Sequence, residues 1–116
     1  MVGVDIVEIA RIKKATKNGA FIQKTFTPYE IEYATKKVEP EQTFAGLYAV
    51  KEAMAKALKT DLMQTIRETE VRHDEKGAPY AVLSGKTLGA SLGYKMEISI
   101  SHDGGYAVAV VMGERV

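Results

Sequence analysis

The stretch from about Gln42 to Lys59 constrains the fold more than any other part of this 116-residue chain. Apolar side chains recur there at steps of three and four residues, which predicts a helix with one buried face. These residues are Phe44, Leu47, Tyr48, Met54, Ala55 and Leu58. A second stripe has alanine at every fourth position: residues 45, 49, 53 and 57. Such small side chains would let another backbone or a ligand come close to this central helix.

The segments before this helix predict one strand and two further helices. Residues 1–9 are rich in valine and isoleucine, which favour a strand, and Gly3 permits a bulge or the close approach of a ligand. A helix is predicted from Ala10 to the Asn18-Gly19 stop. Thr27-Pro28-Tyr29-Glu30 is a capping box with proline at the first helical position. It predicts a helix over residues 28–37.

After residue 64 the apolar period changes from about four to two, which predicts strands. The predicted elements are a hairpin (69–73 and 80–83, with a turn at 75–79), a short helix (84–92), a half-buried strand (96–101), a glycine-rich turn (102–105) and an apolar strand (107–112). The last strand is apolar on both faces and is expected to be central and fully covered. The predicted order is βααα-ββα-ββ, an α+β domain.

Length and composition exclude several classes of protein. At 116 residues the chain is predicted to be one domain, residues 1–116, with a single core. The net charge of +1 does not suggest nucleic acid, and no run approaches the roughly 20 apolar residues of a membrane helix. Cysteine is absent, which excludes disulfides and thiolate sites. Asp5 and Glu8 are atypical of a signal peptide, so we expect a cytoplasmic enzyme or binding domain.

Asp5, the pair Glu52 and Lys56, and His102 are the candidate chemical residues, and each has a structural alternative. A carboxylate inside the apolar strand at Asp5 costs several kcal/mol unless a partner or a metal compensates it, but Asp5 could instead face solvent from an edge strand. Glu52 and Lys56 are spaced i, i+4, as in many surface ion pairs. His102 could be a structural residue of its glycine-rich turn.

Together these residues suit a site for a metal-bound pyrophosphate. Two carboxylates without cysteine favour a hard cation such as magnesium, which commonly shares its ligands with phosphate. A lysine and a histidine would complement the phosphate charge. His73 and His102 alone cannot form a zinc set, and the chain has no P-loop or GxGxxG run.

The order of three motifs resembles the acyl-carrier-protein synthases. These are G-x-D at 3–5, A-x-K-E-A-x-x-K within residues 49–56 and S-I-S-H-D at 99–103. In length the chain is similar to the short, one-module class of phosphopantetheinyl transferases. The resemblance implies that family's fold, with helices packed on a small, largely antiparallel sheet. It also implies transfer of 4′-phosphopantetheine from coenzyme A to a serine of apo-acyl carrier protein, which supports fatty acid biosynthesis.

The resemblance also implies roles for single residues. Asp5 and Glu52 would bind magnesium, and with Lys56 they would form the catalytic set. Lys51 and Lys56 flank Glu52 and would contact substrate, Lys56 being the better candidate for the pyrophosphate of coenzyme A.

The nucleotide end and the reaction follow from the same resemblance. Ser101 and His102 would lie against the nucleotide end of coenzyme A. The carrier serine would attack the phosphate attached to pantetheine, and adenosine 3′,5′-bisphosphate would leave. Asp5, Glu52 or a metal-bound water could each take the serine proton.

Partner contacts are the last implication. Five basic residues and no acidic one lie between Arg11 and Lys24. The family uses this first helix to hold the acidic carrier protein, so Arg11, Lys14 and Lys24 are candidate docking residues, although a solvated helix face would look alike. The short class forms trimers with shared sites, and we expect a homotrimer with the strand at 107–112 in its interface.

Two departures from the family pattern concern the 3′-phosphate of coenzyme A. Leu47 stands where family members carry a basic residue associated with that phosphate, and residues 38–42 are acidic where others are basic. Lys59-Thr60-Asp61 replaces a glycine-rich segment, and Lys59 is the candidate for a substitute charge. Two other functions stay open on the residues alone: a magnesium-dependent nucleotide hydrolase, and a non-catalytic domain that binds an acidic protein.

Overall fold

The computed structural model describes residues 1–116 and contains six helices and five strands. In chain order these are β1 (Val2–Glu8), α1 (Ile9–Ala15), α2 (Gly19–Thr25), α3 (Pro28–Thr35), α4 (Pro40–Leu58), α5 (Leu62–Glu68), β2 (Thr69–His73), β3 (Pro79–Leu83), α6 (Gly85–Ser91), β4 (Tyr94–Asp103) and β5 (Tyr106–Arg115). The fold is α+β, as predicted. None of the helices is long and apolar enough to cross a membrane.

The strands form one antiparallel sheet of three, in the order β1-β5-β4, and a separate antiparallel hairpin of β2 and β3. The β4–β5 connection turns at Gly104 and Gly105, whose φ angles of 58° and 84° are accessible mainly to glycine. The predicted turn began at His102, which was wrong. His102 and Asp103 instead pair with Ala107 and Tyr106 as the end of β4.

Helix α4 covers one face of the three-stranded sheet, and its alanine stripe faces β1. A Cβ added to Gly3 would lie 2.0 Å from the carbonyl oxygen of Ala53 and 2.7 Å from the nitrogen of Ala57. Glycine at position 3 is therefore required by the close approach of strand to helix. Of the two alternatives predicted for the alanine stripe, the structure shows close contact with another backbone, that of β1.

The other face of this sheet is open, which corrects the prediction that the strand at 107–112 is covered on both faces. Strand β5 is central, as predicted, and its residues Ala107, Ala109 and Val111 are fully buried beneath the helices. Neighbouring residues on a strand point to opposite faces. The open face accordingly exposes a set of apolar side chains, which we call the open sheet face: Val2, Val4, Ile6, Val108, Val110 and Met112.

Helices α2 and α5 were not predicted, because both begin with a local cap rather than with a long apolar period. The Asn18 side chain accepts a hydrogen bond from Ala20 N at 2.9 Å and starts α2, although Asn18-Gly19 was read only as a stop. The Asp61 carboxylate accepts one from Gln64 N at 2.9 Å and starts α5. The capping box of α3 is confirmed: Glu30 N donates to Thr27 Oγ1, and Thr27 N donates to Glu30 Oε1.

Candidate active site

Asp5 lies on the inner face of β1, beneath α4, and is only 9% exposed. Strand β1 is an edge strand, but the alternation of its side chains turns Asp5 away from solvent. One carboxylate oxygen, Oδ1, accepts a hydrogen bond from Lys56 Nζ at 3.1 Å. The other oxygen, Oδ2, is buried and has no hydrogen-bond partner. A buried carboxylate oxygen without a protein partner is costly, which makes Asp5 a candidate ligand for a cation.

Glu52 shares a cleft of about 260 Å³ with Asp5. Burial and the charge of Asp5 raise the pKa of Glu52, since two nearby carboxylates disfavour each other's ionisation. The charge of Lys56, the nearby Tyr48 hydroxyl and the charge of Arg11 lower the pKa of Glu52 and only partly offset this rise. The same cleft contains Tyr48 and Arg11. The arrangement is a pair of carboxylates in one partly enclosed cleft, whose oxygens could hold a cation.

Lys56 connects α4 to β1 at the edge of this cleft. Its ammonium donates to Asp5 Oδ1 and to the carbonyl oxygen of Val4, both at 3.1 Å. The predicted alternative, a helix-surface pair between Lys56 and Glu52, is not what forms, because Lys56 pairs with the strand instead. The Lys56 side chain is 58% exposed, so its ammonium is accessible to a ligand in the cleft.

Lys51 does not belong to this site, and the expectation that it contacts substrate is contradicted by its burial. Its side chain is fully buried and forms an ion pair with Glu30 at 2.9 Å. The Lys51 ammonium also donates to the carbonyl oxygens of Ile66 and Thr69, at 3.3 and 2.5 Å. Burial lowers the pKa of Lys51. Sequence adjacency to Glu52 was misleading, since consecutive helical residues point about 100° apart.

His102 lies outside the carboxylate cleft, in a second cleft of about 210 Å³ between α3, α4, the β2–β3 hairpin and β4. A Cβ added to Gly46 would lie 3.2 Å from His102 Nε2, so Gly46 makes room for the imidazole. Ser101, its neighbour on β4, is exposed and opposes Val108 in the register of the sheet. Ser101 therefore lies on the open sheet face, whereas His102 points to the face covered by helices. One chain does not present both residues on the same side of the sheet.

The two clefts open on different sides of α4. Gly46 lines the second cleft and Glu52 the first, and these residues are six positions apart. At 100° per residue they point about 120° apart around the helix axis. One chain therefore does not present its carboxylate pair and its His102 cleft on one continuous surface.

The candidate docking residues lie on the two helices that follow β1. Arg11 and Lys14 are on α1, Lys24 is on α2, and all three are exposed. Arg11 also lines the carboxylate cleft, whereas neither lysine does. A partner bound to α1 would thus reach the carboxylates by way of Arg11.

Three residues of these clefts were missed as functional candidates. Tyr48 was assigned to the buried face of the central helix, yet it lies one turn before Glu52, and an i, i+4 spacing alone could have placed the two together. Tyr33 and His73 line the second cleft together with His102. Their contact joins α3 to β2, and no local pattern in the sequence signals it.

Comparison with known proteins places this architecture in a family. A family model described as the 4′-phosphopantetheinyl transferase superfamily matches residues 1–111. Holo-[acyl-carrier-protein] synthases of Halothermothrix orenii and Geotalea daltonii are 39% and 40% identical to the chain, over 97% of it and 95% and 96% of their own lengths. The chain therefore belongs to the 4′-phosphopantetheinyl transferase superfamily and, within it, to the transferases called holo-[acyl-carrier-protein] synthases.

Solved structures agree with this family and with the fold. The Helicobacter pylori holo-[acyl-carrier-protein] synthase in complex with coenzyme A superposes with a TM-score of 0.80 at 32% identity, covering 98% of this chain and 100% of that one. The Bacillus anthracis synthase, in complex with CoA (3′,5′-ADP), gives a TM-score of 0.83 at 30% identity, covering 99% and 96%. The predicted phosphopantetheinyl transferase fold is confirmed.

Proposed function

We propose that this chain, as one transferase domain over residues 1–116, moves the 4′-phosphopantetheine group of coenzyme A to a serine hydroxyl of apo-acyl carrier protein. The reaction depends on magnesium and releases adenosine 3′,5′-bisphosphate. Its place is the cytoplasm, in support of fatty acid biosynthesis. The observation that carries the proposal is the carboxylate cleft, where the buried Oδ2 of Asp5 has no partner beside Glu52.

The residues of this cleft fit magnesium. The chain has no group of three or more metal-binding side chains, but magnesium is commonly held by one or two carboxylates together with substrate phosphates and water. Asp5 and Glu52 would supply those two carboxylates. When bound, the cation polarises the phosphoryl oxygens and neutralises charge on the leaving group.

The side chains of the cleft account for the remaining chemistry. Lys56 is accessible at its edge and would pair with the pyrophosphate of coenzyme A, exchanging its contact with Asp5 for one with substrate. The serine oxygen forms a bond to the phosphorus attached to pantetheine, the bond from that phosphorus to the bridging oxygen breaks, and adenosine 3′,5′-bisphosphate leaves with the electron pair. The serine proton passes to Asp5, to Glu52 or to a water that they hold. Positioning and charge supply most of the rate.

A homotrimer with shared sites is the second part of the proposal. The open sheet face exposes Val4, Ile6 and Met112 at 53%, 63% and 56%, which is unusual for adjacent side chains in one sheet and typical of an interaction surface. The two clefts of one chain open on different sides of α4. Sharing between copies would let coenzyme A reach the carboxylates of one copy and the His102 cleft of the next, with Ser101 close to the interface.

Light scattering tests the assembly. We expect a trimer, and Ile6→Asp, which adds a charge to the open sheet face, should yield monomers with little activity. Glu97→Gln, at the rim of the same face, is the matched control and should remain trimeric. A wild-type monomer that is fully active at the assay concentration contradicts this part of the proposal.

Carrier docking on α1 and α2 is the third part. Exposed Arg11, Lys14 and Lys24 would attract an acidic carrier, and such one-signed patches mainly raise encounter rates and fix orientation. The position of Arg11 within the carboxylate cleft supports its role, because it would hold the carrier next to the reacting groups.

A single incubation tests the reaction itself. The chain, apo-carrier, coenzyme A and magnesium should give a carrier whose mass has increased by one phosphopantetheine, with adenosine 3′,5′-bisphosphate in the supernatant. Calcium should be a poor substitute, because its coordination is longer and looser. The competing nucleotide hydrolase would consume coenzyme A without any carrier and leave the carrier mass unchanged.

A further inference from the structure

Tyr48 brings a phenolic hydroxyl into the cleft that contains Asp5 and Glu52. Tyr48 and Glu52 are four residues apart on α4, so their side chains are neighbours on one face of the helix. The Tyr48 side chain is half-buried in this position. Its hydroxyl can therefore meet the Glu52 carboxylate while the backbone stays in place.

The Tyr48 ring is held by packing against other aromatic rings. Phe21 of α2 also lines the cleft, and its ring centroid is 6.2 Å from that of Tyr48, with the planes 47° apart. Phe21 packs in turn against Phe26 at 6.1 Å, and Phe26 packs against Phe44 at 4.7 Å. Phe26 and Phe44 belong to the buried core. This series of rings fixes Tyr48 relative to the core, so its hydroxyl has a defined position from which it can orient a neighbouring group.

The Glu52 carboxylate has no basic partner. No lysine, arginine or histidine nitrogen lies within 4.0 Å of its oxygens. Lys56, the nearest candidate by helical spacing, donates to Asp5 Oδ1 and to the carbonyl oxygen of Val4 instead. A carboxylate that rotates freely loses this freedom when it binds a metal, which costs conformational entropy. A fixed donor beside Glu52 would remove part of that cost before the metal arrives.

The Tyr48 hydroxyl is placed to be this donor. Burial, and then the charges of Glu52 and Asp5, raise the pKa of Tyr48, so the hydroxyl keeps its proton in the cleft and can donate to a carboxylate. The Oδ2 atom of Asp5 has no hydrogen-bond partner, so it receives none from Tyr48. Its Oδ1 atom already accepts from Lys56. Glu52 is the carboxylate that remains for the hydroxyl.

We propose that Tyr48 is a positioning residue of the transfer reaction: its hydroxyl donates to one oxygen of the Glu52 carboxylate and keeps the other oxygen turned toward Asp5 for the metal. Tyr48 contacts neither the metal nor coenzyme A and acts only through Glu52. Carboxylates that bind a metal commonly accept such a second hydrogen bond, and its loss typically weakens metal binding or activity about 10- to 100-fold. This inference rests on the proposed function, because it assumes that Asp5 and Glu52 hold the cation.

Manganese(II) prefers the same oxygen ligands as magnesium and makes the metal affinity measurable without turnover. We would titrate the chain with manganese(II) in the presence of coenzyme A and count the free ion by its electron paramagnetic resonance signal. Tyr48→Phe keeps the ring beside Phe21 but removes the hydroxyl, and it should raise the dissociation constant about tenfold. Tyr29→Phe is the matched control, because Tyr29 lies on α3 outside this cleft, next to Arg72. It should bind manganese(II) as tightly as the wild type.

Transfer assays distinguish positioning from a merely structural role. Tyr48→Phe should require about tenfold more magnesium for half-maximal transfer. Most of its kcat should return at saturating magnesium, because Glu52 itself is still present, and the KM for coenzyme A should then stay nearly constant. A change that only loosened the fold would lower kcat at every magnesium concentration.

An infrared measurement in chelator tests the hydrogen bond without any metal. The difference spectrum between the wild type and Tyr48→Phe should contain a carboxylate band, because a hydrogen bond changes the stretching frequencies of its acceptor. The band should be absent when the same substitution is made in a Glu52→Gln background. A band that persists in that background overturns the inference.

The metal titration has equally definite outcomes. An unchanged affinity for manganese(II) in Tyr48→Phe overturns the inference, as does an equal loss of affinity in Tyr29→Phe or a kcat that excess magnesium does not restore. A wild type that binds no manganese(II) and modifies no carrier overturns the proposed function instead.

Discussion

Two ionic clusters involve successive residues of α4, Lys51 and Glu52, and they differ in their burial and in how many partners each charged group has. The closed cluster, Glu30 and Lys51, is fully buried, and each charged group has several partners. The open cluster, Asp5, Glu52 and Lys56, borders a cleft and leaves Asp5 Oδ2 without a partner. Lys51 and Glu52 are adjacent in sequence, yet one residue belongs to the core and the other to the site.

The difference separates a structural role from a chemical one. Glu30 caps α3 through Thr27 N and accepts a hydrogen bond of 2.7 Å from Val71 N, so the closed cluster connects α3, α4 and β2. In the open cluster, burial and the neighbouring charge of Asp5 raise the pKa of Glu52. A fully satisfied cluster stabilises the fold, whereas an unsatisfied one lowers stability and is ready for a ligand.

The two lysines of α4 give the sharpest test and the largest effect. Lys51→Met leaves Glu30 buried without its counter-charge, which should lower the free energy of unfolding by about 3–5 kcal/mol. Lys56→Met, the matched change on the same helix, removes a lysine that is 58% exposed from a pair whose other member, Asp5, is largely buried but borders the cleft, and it should cost clearly less than Lys51→Met. Chemical denaturation of both variants checks the prediction. Equal losses would show that the clusters do not differ in this way.

The second test reverses the comparison by removing the carboxylates of the open cluster. Asp5→Ala and Glu52→Ala should each lower turnover at least about 100-fold, because each would remove a proposed ligand of the metal, while the unfolding midpoint remains near that of the wild type. Transfer assays and thermal unfolding measure the two effects.

Glu32→Gln serves as the control, because Glu32 pairs with Lys36 on the surface. Its turnover should equal that of the wild type. Near-normal turnover in either Asp5→Ala or Glu52→Ala would remove that residue from the site.

The open cluster could be predicted from sequence, but its separation from the closed cluster could not. An acidic residue inside an apolar strand and an acidic residue on the central helix are local signals, and they indicated Asp5 and Glu52. The burial of Lys51 depends on Glu30 and on the carbonyl oxygens of Ile66 and Thr69, which come from three other elements. No local pattern reports such contacts.

The same distinction holds for the fold. Elements with a strong period, such as α4 and β5, were predicted, and the capping box of α3 was confirmed. Helices α2 and α5 are seven residues each and depend on single capping side chains, so their period is too short to detect. The face of β5 that stays open could not be predicted either, since Val108 and Val110 are as apolar as covered residues.

A third test concerns Arg11, which borders the open cluster from α1. Arg11→Glu should raise the apparent KM for the carrier about tenfold, or roughly 1.4 kcal/mol, because a one-signed patch orients an acidic partner. The KM for coenzyme A should stay nearly constant. The effect should weaken with added salt, since the Debye length is about 10 Å at 0.1 M.

Lys17→Glu, on the same basic segment but outside the cleft, is the comparison for Arg11. It should have a smaller effect on the carrier KM. If Arg11→Glu moved both Michaelis constants together, or neither, Arg11 would be a solvated residue rather than a docking contact.

The smallest effect we expect is a gain in stability on removing a charge from the open cluster. Burial and Asp5 raise the pKa of Glu52, so the folded chain keeps this proton at pH values where the unfolded chain has lost it. The stability of the metal-free protein should therefore fall as pH rises from the unfolded pKa through the folded one. Glu52→Gln stays neutral and should escape this loss, gaining at most about 1 kcal/mol at pH 7 because the group is half exposed. Glu32→Gln should show no gain, since the hydrogen bond with Lys36 lowers the pKa of Glu32.

Added magnesium should raise the unfolding midpoint of the wild type more than that of Glu52→Gln, because a ligand stabilises only the state that binds it. Scanning calorimetry between pH 4 and 8, in chelator and in magnesium, measures both trends. If the Glu52→Gln variant were less stable than the wild type at pH 7 in chelator, Glu52 would belong with the closed cluster.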